Sequence, residues 1–269
     1  MEIFSKRTVP IIVALFVATR PRQWSKNLLV YFPLFFTVHS MWDLADSALA
    51  LELLGKTTLA FLLFSMLSGA VYLVNDIFDV DRDRLHSKKR FRPIASGALS
   101  MPLAWSSAAI LSAMAIGLSL MLEPACSWVA LGYLAIMMAY SVLLKRLVIL
   151  DVCAISCGFV LRAVAGAVVL QVPVSTWLYI CTALGALFIA LSKRRSELEA
   201  SGDMAGRQRE TLQRYTRPLL DQFTAVVALS TLVAYALYTF TASNLPGNHT
   251  MMLTIPFVVY GLFRYLYLV

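Results

Sequence analysis

The stretch LELLGKTTLAFLLFSMLSGAVYLVNDIF, Leu51 to Phe78, runs directly into DVDRD, Asp79 to Asp83. An apolar run of this length reads as a helix crossing a bilayer, and it ends in four carboxylates: Asp76, Asp79, Asp81 and Asp83. At about 100° per residue, Asp76, Asp79 and Asp83 project from one helix face with Asn75 beside them, while Asp81 points elsewhere. Like charges packed this closely repel, raising their own pKa values or fraying the helix end. A divalent cation removes that conflict, and oxygen ligands of this kind suit magnesium, which takes a couple of carboxylates plus substrate phosphate oxygens. The alternative is an acidic helix end that merely solvates itself. The segment that follows favours the metal: Arg82, Arg84, Lys88, Lys89, Arg90 and Arg92 come at once. Carboxylates for a metal then stand beside cations for phosphate oxygens. The stretch reads as a magnesium–diphosphate site where a membrane helix meets water.

The rest of the chain fits that placement. Of its 269 residues 59% are hydrophobic and only 14% charged, far more apolar surface than a soluble domain of this size needs. Spans are expected near Asn27–Val38, Leu51–Phe78, Met101–Leu122, Ala125–Leu144, Leu150–Leu170, Thr176–Ser192, Leu219–Thr241 and Met251–Val269. Residues 1–23 form an interfacial segment, because the apolar stretch Thr8 to Thr19 is too short to span and is flanked by cations. Arg20, Pro21 and Arg22 end that stretch without a small-residue cleavage site, so no cleavable signal peptide is expected. With the amino end inside, all of the 23 lysines and arginines except Lys56, Arg162 and Arg264 fall on one side. The positive-inside rule makes that side the cytoplasm, so the aspartates face it. The net charge of +8 is thereby explained by topology, and no nucleic-acid partner is expected. The four cysteines lie inside apolar segments and read as small core residues.

Residues 1–269 thus read as one transmembrane domain, with cytoplasmic loops at 79–100 and 194–218 capping the site. Because these loops follow the second and sixth spans, the layout suggests two four-span halves with the site between them. Further candidates are polar residues near that side. Arg162 lies roughly 16 Å down its helix from Asp151, on one face with Gly158 and Gly166. A charge at that depth needs a partner or a wet cavity, so it is either a structural ion pair or a cation aimed at a phosphate. Tyr140 and Lys145 cluster at the end of the fourth span, where topology alone would also supply cations. Lys193, Arg194 and Glu197 close the sixth.

Several of these residues resemble a known family. Asn75-Asp76-x-x-Asp79-x-x-x-Asp83 followed by Arg92-Pro93-Ile94-Ala95-Ser96-Gly97 is similar to the first signature of the UbiA superfamily of intramembrane prenyltransferases. Arg20-Pro-Arg-Gln-Trp-Ser-Lys-Asn27, Tyr140-Ser141 through Lys145, Leu150-Asp151, Gly158-Phe-Val-Leu-Arg162 with Ala165-Gly166, and Ser192-Lys-Arg194 with Glu197 resemble its decaprenyl-phosphate phosphoribosyltransferase branch. The resemblance runs from about Arg20 to the last residue. It implies an all-α, polytopic transmembrane helical bundle, described with nine spans where eight are read here, in a bacterial inner membrane. It also implies transfer of phosphoribosyl from phosphoribosyl diphosphate to a polyprenyl (decaprenyl) phosphate, towards a lipid-linked ribose or arabinose donor for cell-wall synthesis. In that reading magnesium is held by Asp76, Asp79 and Asp83, oriented by Asn75. Lys88, Lys89, Arg90 and Arg92 bind diphosphate charge, Lys193 and Arg194 face the 5-phosphate, and Lys26, Lys145 and Arg162 are candidates for the acceptor. Relatives acting on aromatic acceptors usually carry a second aspartate-rich motif after span six, where this chain has Lys193-Arg194-Arg195-Ser196-Glu197. Bases there suit a donor with an extra anionic group. An aromatic prenyltransferase using a prenyl diphosphate is the nearer rival reading, and a cation-coupled transporter the more distant one.

Overall fold

The computed structural model describes residues 10–38, 41–43, 45–173, 176–201, 210–242, 245 and 248–268. These residues are helical nearly throughout, as the apolar runs require: inside a bilayer each span must satisfy its own backbone groups. The α-helices are α1 (Ile11–Ala18), α2 (Phe32–Phe36), α3 (Ser47–Phe78), α4 (Val80–Leu85), α5 (Met101–Leu122), α6 (Pro124–Val142), α7 (Leu150–Val169), α8 (Thr176–Ser201), α9 (Arg217–Thr241) and α10 (Ile255–Leu268). Among the described residues six segments are long and apolar enough to cross a membrane: α3, α5, α6, α7, α9 and Thr250–Leu268.

α3 is the axis of the bundle. Its 32 residues begin where the Asp46 carboxylate accepts the Leu49 N–H at 3.1 Å, an N-cap that satisfies one orphan donor. Its inner face packs Ala60, Phe64, Leu67 and Val71 against Ala115 of α5, Ala130 and Tyr133 of α6, and Ala165 and Val169 of α7. Alanines at four of these positions let the helices approach closely, since helices in lipid associate by close packing rather than by expelling water. A second core joins α7 to α8 and α9 through Val152, Ala190, Leu191, Tyr215 and Leu220, so α7 belongs to both parts of the bundle. Outward faces carry apolar stripes at helical spacing, such as Ile110, Met114, Leu118 and Met121 on α5 and Val226, Leu229, Val233, Leu237 and Phe240 on α9. In water such faces would aggregate; in lipid they are the solvent-exposed surface of a multi-pass membrane protein.

Three expectations are corrected. The segment read as a first span is a 3₁₀ helix over Pro21–Tyr31 followed by the short α2. Arg20 in the left-handed region (φ 53°), Pro21 and Pro33 interrupt regular α-helix there. The 3₁₀ helix is eleven residues long, against the usual three or four, and is held by α3 and α7 on either side. Second, α8 does not end at Ser192 but continues to Ser201, so Arg194 and Glu197 lie inside a helix rather than in the 194–218 loop, as does Lys193 before them; residues 202–209 fall outside the described residues. Third, Cys126 is a core residue as expected, but Cys157 is exposed.

Gly166 is what lets the 3₁₀ segment seat against α7. A Cβ there would lie 2.0 Å from the Val30 carbonyl oxygen, and neither backbone can yield. We expect Gly166→Ala to cost about 3 kcal/mol or more, read as a lower melting temperature and loss of a monodisperse peak in detergent. Gly132→Ala, where a Cβ meets nothing within 4 Å, is the control and should be neutral or slightly stabilising.

Candidate functional site

At the end of α3 the helix bends without losing its spacing. Asp79 leaves helical geometry (φ −99°, ψ 4°), and α4 restarts at Val80. The Asp79 N–H still reaches the Asn75 carbonyl at 3.0 Å, and the Asp83 N–H reaches the Asp79 carbonyl at 2.8 Å. The three carboxylates read as sharing a face therefore stay together across a break. Asp81 points away: it is exposed and meets Arg84 at 3.6 Å.

The carboxylates divide into two groups by the cations that hold them. Asp76 and Asp83, both buried, share Arg92, whose guanidinium lies 3.2 Å from one and 2.5 Å from the other. Asp76 is also bound by Arg20. Asp79 instead takes Lys145 Nζ at 2.7 Å, and the Asn75 side chain joins it: the Asn75 amide donates to Asp79 at 3.1 Å while its oxygen accepts from Lys145 at 3.2 Å. Burial would make such carboxylates costly if they were unpaired, and each has a cation.

The loop is built to present Arg92. Lys89–Phe91 forms a 3₁₀ turn, after which Arg92 is extended. Pro93, Ile94 and Ala95 are buried beneath it, and Gly97 closes the turn at φ 82°, a conformation cheap only for glycine. Lys89 points back toward Asp83, Asp79 and Glu197, which all favour its charge; burial first and Arg92 second outweigh them and push its ammonium pKa down. Through Lys89 and Glu197 the segments after α3 and within α8 approach one another. Lys88 and Arg90 are exposed, and Arg90 stacks over Phe91 at 4.8 Å; the structure does not bring them to the carboxylates.

Among the described residues no three His, Cys, Asp or Glu side chains are placed to hold one metal ion. A cage of three aspartates is therefore not formed. The donor set fits magnesium in its sparser habit, one or two carboxylates with the remaining positions left to substrate oxygens and water, and Asp79 with the Asn75 oxygen beside it is such a pair.

Arg194 lies elsewhere than expected. It is buried, with Nε 2.9 Å from Asp151 and Nη1 2.5 Å from Glu197, so its charge braces α8 against α7. Lys193, one residue earlier, is exposed and 3.9 Å from Glu197. Tyr140 lies near enough to Arg194 to favour its charge. Arg162 has no carboxylate partner among the described residues. Its guanidinium donates to Asn27 Oδ1, the Gly158 carbonyl and the Tyr133 hydroxyl, each at 2.7 Å, and lies over the Tyr133 and Phe159 rings. The expected alternative of an interhelical ion pair is thus replaced by a cation held on neutral acceptors that ties the 3₁₀ segment, α6 and α7 together.

Beside this network lies a cavity of about 1040 Å³ between the 3₁₀ segment, α2, α7, α8 and α9. Its wall on α8 extends from Thr176 to Ile189, about 20 Å at 1.5 Å per residue. Phe36, Trp177 and Tyr238 make it largely apolar, and among the described residues lining it Lys26 carries the charge. Burial, followed by Lys193, Arg162 and Arg20, lowers the Lys26 pKa to about 8. Two groups that the motif pattern did not single out as site residues are Arg20 and Tyr215. Arg20 stood inside the quoted Arg20–Asn27 stretch, but its left-handed backbone, which turns it onto Asp76 and over the Tyr72 ring at 4.7 Å, has no sequence signal beyond the proline that follows.

The model of the UbiA prenyltransferase family matches residues 30–269. Over 257 residues the chain is 35% identical to the decaprenyl-phosphate phosphoribosyltransferase of Mycobacterium tuberculosis (strain CDC 1551 / Oshkosh), covering 92% of this chain and 80% of that protein. The protein of the same name from Mycolicibacterium smegmatis is 37% identical over 232 residues, 86% of this chain and 71% of that one. In fold, the chain is similar to a UbiA homolog from Archaeoglobus fulgidus solved with GPP and Mg2+, with a TM-score of 0.76 at 19% identity over 95% of this chain and 86% of that one.

Removing Arg162 should be a stability event. Arg162→Leu strands the buried Asn27 and Tyr133 side chains without their charged donor, and we expect a loss of roughly 3 kcal/mol, seen as a drop in melting temperature in detergent. A variant as stable as the wild type would show that the network does not hold the 3₁₀ segment.

Proposed function

The chain belongs to the UbiA prenyltransferase family, and from that membership and the site's geometry we propose that it transfers 5-phosphoribosyl from phosphoribosyl diphosphate to a polyprenyl phosphate, releasing diphosphate. The proteins similar to it over most of their length are named for the decaprenyl-phosphate reaction. The observation that carries the reading is that one segment joins two sites. Arg20, at the start of Pro21–Tyr31, binds the aspartate cluster, and Lys26, within it, is the charged lining residue of the apolar cavity. A water-soluble sugar phosphate and a lipid with a phosphate head can each enter from its own phase and meet there.

The chemistry asks little of a base. As the ribose C1 bond to diphosphate breaks, positive character develops at the sugar and negative charge on the leaving group, while the acceptor phosphate oxygen is already an anion. Catalysis is then alignment plus charge stabilisation. Arg92 and Lys145, with Lys89 beside them, are the cations placed for the departing diphosphate, and they sit on carboxylates until an anion competes for them. Magnesium, held by Asp79 and Asn75 with Asp76 and Asp83 as the further carboxylates, would supply divalent charge to the diphosphate. Lys193 is the exposed base toward the 5-phosphate, with Arg194 bracing the helix under it. Lys26 holds the acceptor head, and the positive field of Arg162 behind it favours an anion there. We place the site on the cytoplasmic face of a bacterial inner membrane, capped by residues 79–100, and the product serves as a lipid-linked sugar donor for cell-wall synthesis. The distribution of lysine and arginine supports that orientation.

The apolar cavity would also accept the chain of a prenyl diphosphate, so donor choice is the decisive test. Purified protein given magnesium, polyprenyl phosphate and radiolabelled phosphoribosyl diphosphate should form labelled lipid. Turnover with a prenyl diphosphate and an aromatic acid instead would overturn the assignment. Asp76→Ala should lower turnover about 100-fold or more while the protein stays folded by size exclusion.

Lys26 gives the reaction a pH signature. Its pKa near about 8 means that it is charged below that value and neutral above it, so acceptor KM should rise between pH 7 and pH 9. Lys26→Arg should keep a low KM across the window and Lys26→Met a high one; an unchanged wild-type profile in Lys26→Met would remove Lys26 from the acceptor site.

A further inference from the structure

Tyr215 lies outside every motif that pointed to the site, yet it is buried and fully bonded beneath it. It follows the 3₁₀ turn Glu210–Gln213 and precedes α9. Its hydroxyl accepts the Ile149 N–H at 2.8 Å and donates to Asp151 Oδ1 at 2.8 Å, while Asp151 Oδ2 accepts from Arg194 Nε at 2.9 Å. The residue it grips is strained. Ile149 has φ 71° and ψ −49°, a region that a β-branched side chain enters only under constraint. Packing does not supply that constraint, because the Ile149 side chain is 46% exposed. The bonds at its peptide do: Tyr215 on the N–H, and the N–H groups of Val152 and Cys153 at 3.1 and 3.0 Å on the carbonyl.

Lys145 lies just before Ile149, in the 3₁₀ turn Leu144–Arg146. It is buried and reaches back to Asp79 at 2.7 Å and Asn75 at 3.2 Å. Thr211 adds a second tie from the same segment, its hydroxyl 3.4 Å from the Lys145 carbonyl. Segment 210–216 therefore holds residues 145–149 at both ends, near Lys145 and at Ile149, and the tie at Ile149 is anchored on the α7–α8 brace of Asp151 and Arg194.

We propose that Tyr215 is a positioning residue: its hydroxyl pins the strained Ile149 turn to Asp151 and thereby sets Lys145 against Asp79 and Asn75. The proposal rests on the reading that Lys145 acts on the departing diphosphate. It gives segment 210–216, after α8, a part in turnover.

The test uses the full chain in lipid nanodiscs with phosphoribosyl diphosphate and polyprenyl phosphate. Tyr215→Phe keeps the ring and removes the hydroxyl. We expect kcat to fall about tenfold with acceptor KM unchanged, and acylation of Lys145 by an amine-reactive ester, followed by mass spectrometry without substrates, to quicken several-fold while Lys56 is unaffected. Ile149→Gly should keep wild-type kcat, since glycine adopts this φ without strain and retains the N–H. In the double variant the loss from Tyr215→Phe should shrink to threefold or less. Additive effects, a kcat within twofold of wild type in Tyr215→Phe, or unchanged Lys145 labelling would each overturn the proposal. Lys145→Met separates the two levels: full turnover in that variant would sink the site reading itself, whereas a dead Lys145→Met beside an active Tyr215→Phe sinks the positioning role alone. Should Tyr215→Phe not survive purification, Thr211→Val must by itself at least double Lys145 labelling, and no change would overturn the coupling.

Discussion

The structure depends on the charge balance of Asp76. A carboxylate buried at the end of a membrane helix is tolerated only with cations against it, and Asp76 draws two of them from segments distant in sequence, Arg20 and Arg92. Satisfying that one group fixes the polar loop after α3 and the amino-terminal approach in the same place. The neighbouring Asp79 does likewise with Lys145 from the turn after α6. The acidic motif thus organises its surroundings by needing them, and in the proposed reading the cations it gathers are the ones a diphosphate would compete for.

The 3₁₀ segment converts this local balance into a shared wall. Asn27, buried within it, donates to Ser65 at 3.0 Å and accepts from Arg162 at 2.7 Å, and Ser68 meets Tyr133 at 3.1 Å alongside. These polar contacts cross what would otherwise be an apolar interface, and a network of this kind specifies one register where Leu and Ala alone would allow several. Close seating against Gly166 then leaves the opposite side of the segment free to line the cavity. Its polar end and its apolar wall are two faces of one irregular helix.

Much of this was legible in the residues. The carboxylate spacing gave the Asp76–Asp79–Asp83 face and sent Asp81 outward because i, i+3 and i+4 offsets survive the break at Asp79. Apolar length marked α3, α5, α6, α7 and α9 to within a few residues, since a bilayer imposes it. What failed to show was whatever depends on long-range partners. Asn27–Val38 is apolar enough to imitate a span, yet it holds the end of the 3₁₀ helix Pro21–Tyr31 and the short α2, seated between α3 and α7. Arg194 looked like a free base because Asp151 is 43 residues away in the chain. Arg162 read as either half of an ion pair or a cation aimed at a phosphate, whereas an amide, a phenol and a carbonyl serve it. Ile149 gives no hint of a left-handed backbone, for nothing in its own chemistry favours one.

The difference between the two charge networks has a chemical consequence. Arg92 and Arg194 each hold two carboxylates, but Arg194 is sealed from solvent, with 3% of its side chain exposed, so a substrate anion cannot reach it as it stands. Arg20 and Arg92 each retain about a quarter of their side-chain surface in contact with solvent, and the Lys26 pKa is lowered first by burial and then by the positive charges of Lys193, Arg162 and Arg20. An incoming polyphosphate gains most where positive potential is incompletely neutralised and partly hydrated. That condition holds along the line from Arg92 through Arg20 to Lys26, and it fails at Arg194. The direction of that line, from the aspartates to the apolar cavity, is the direction in which a sugar would have to travel to reach a lipid phosphate.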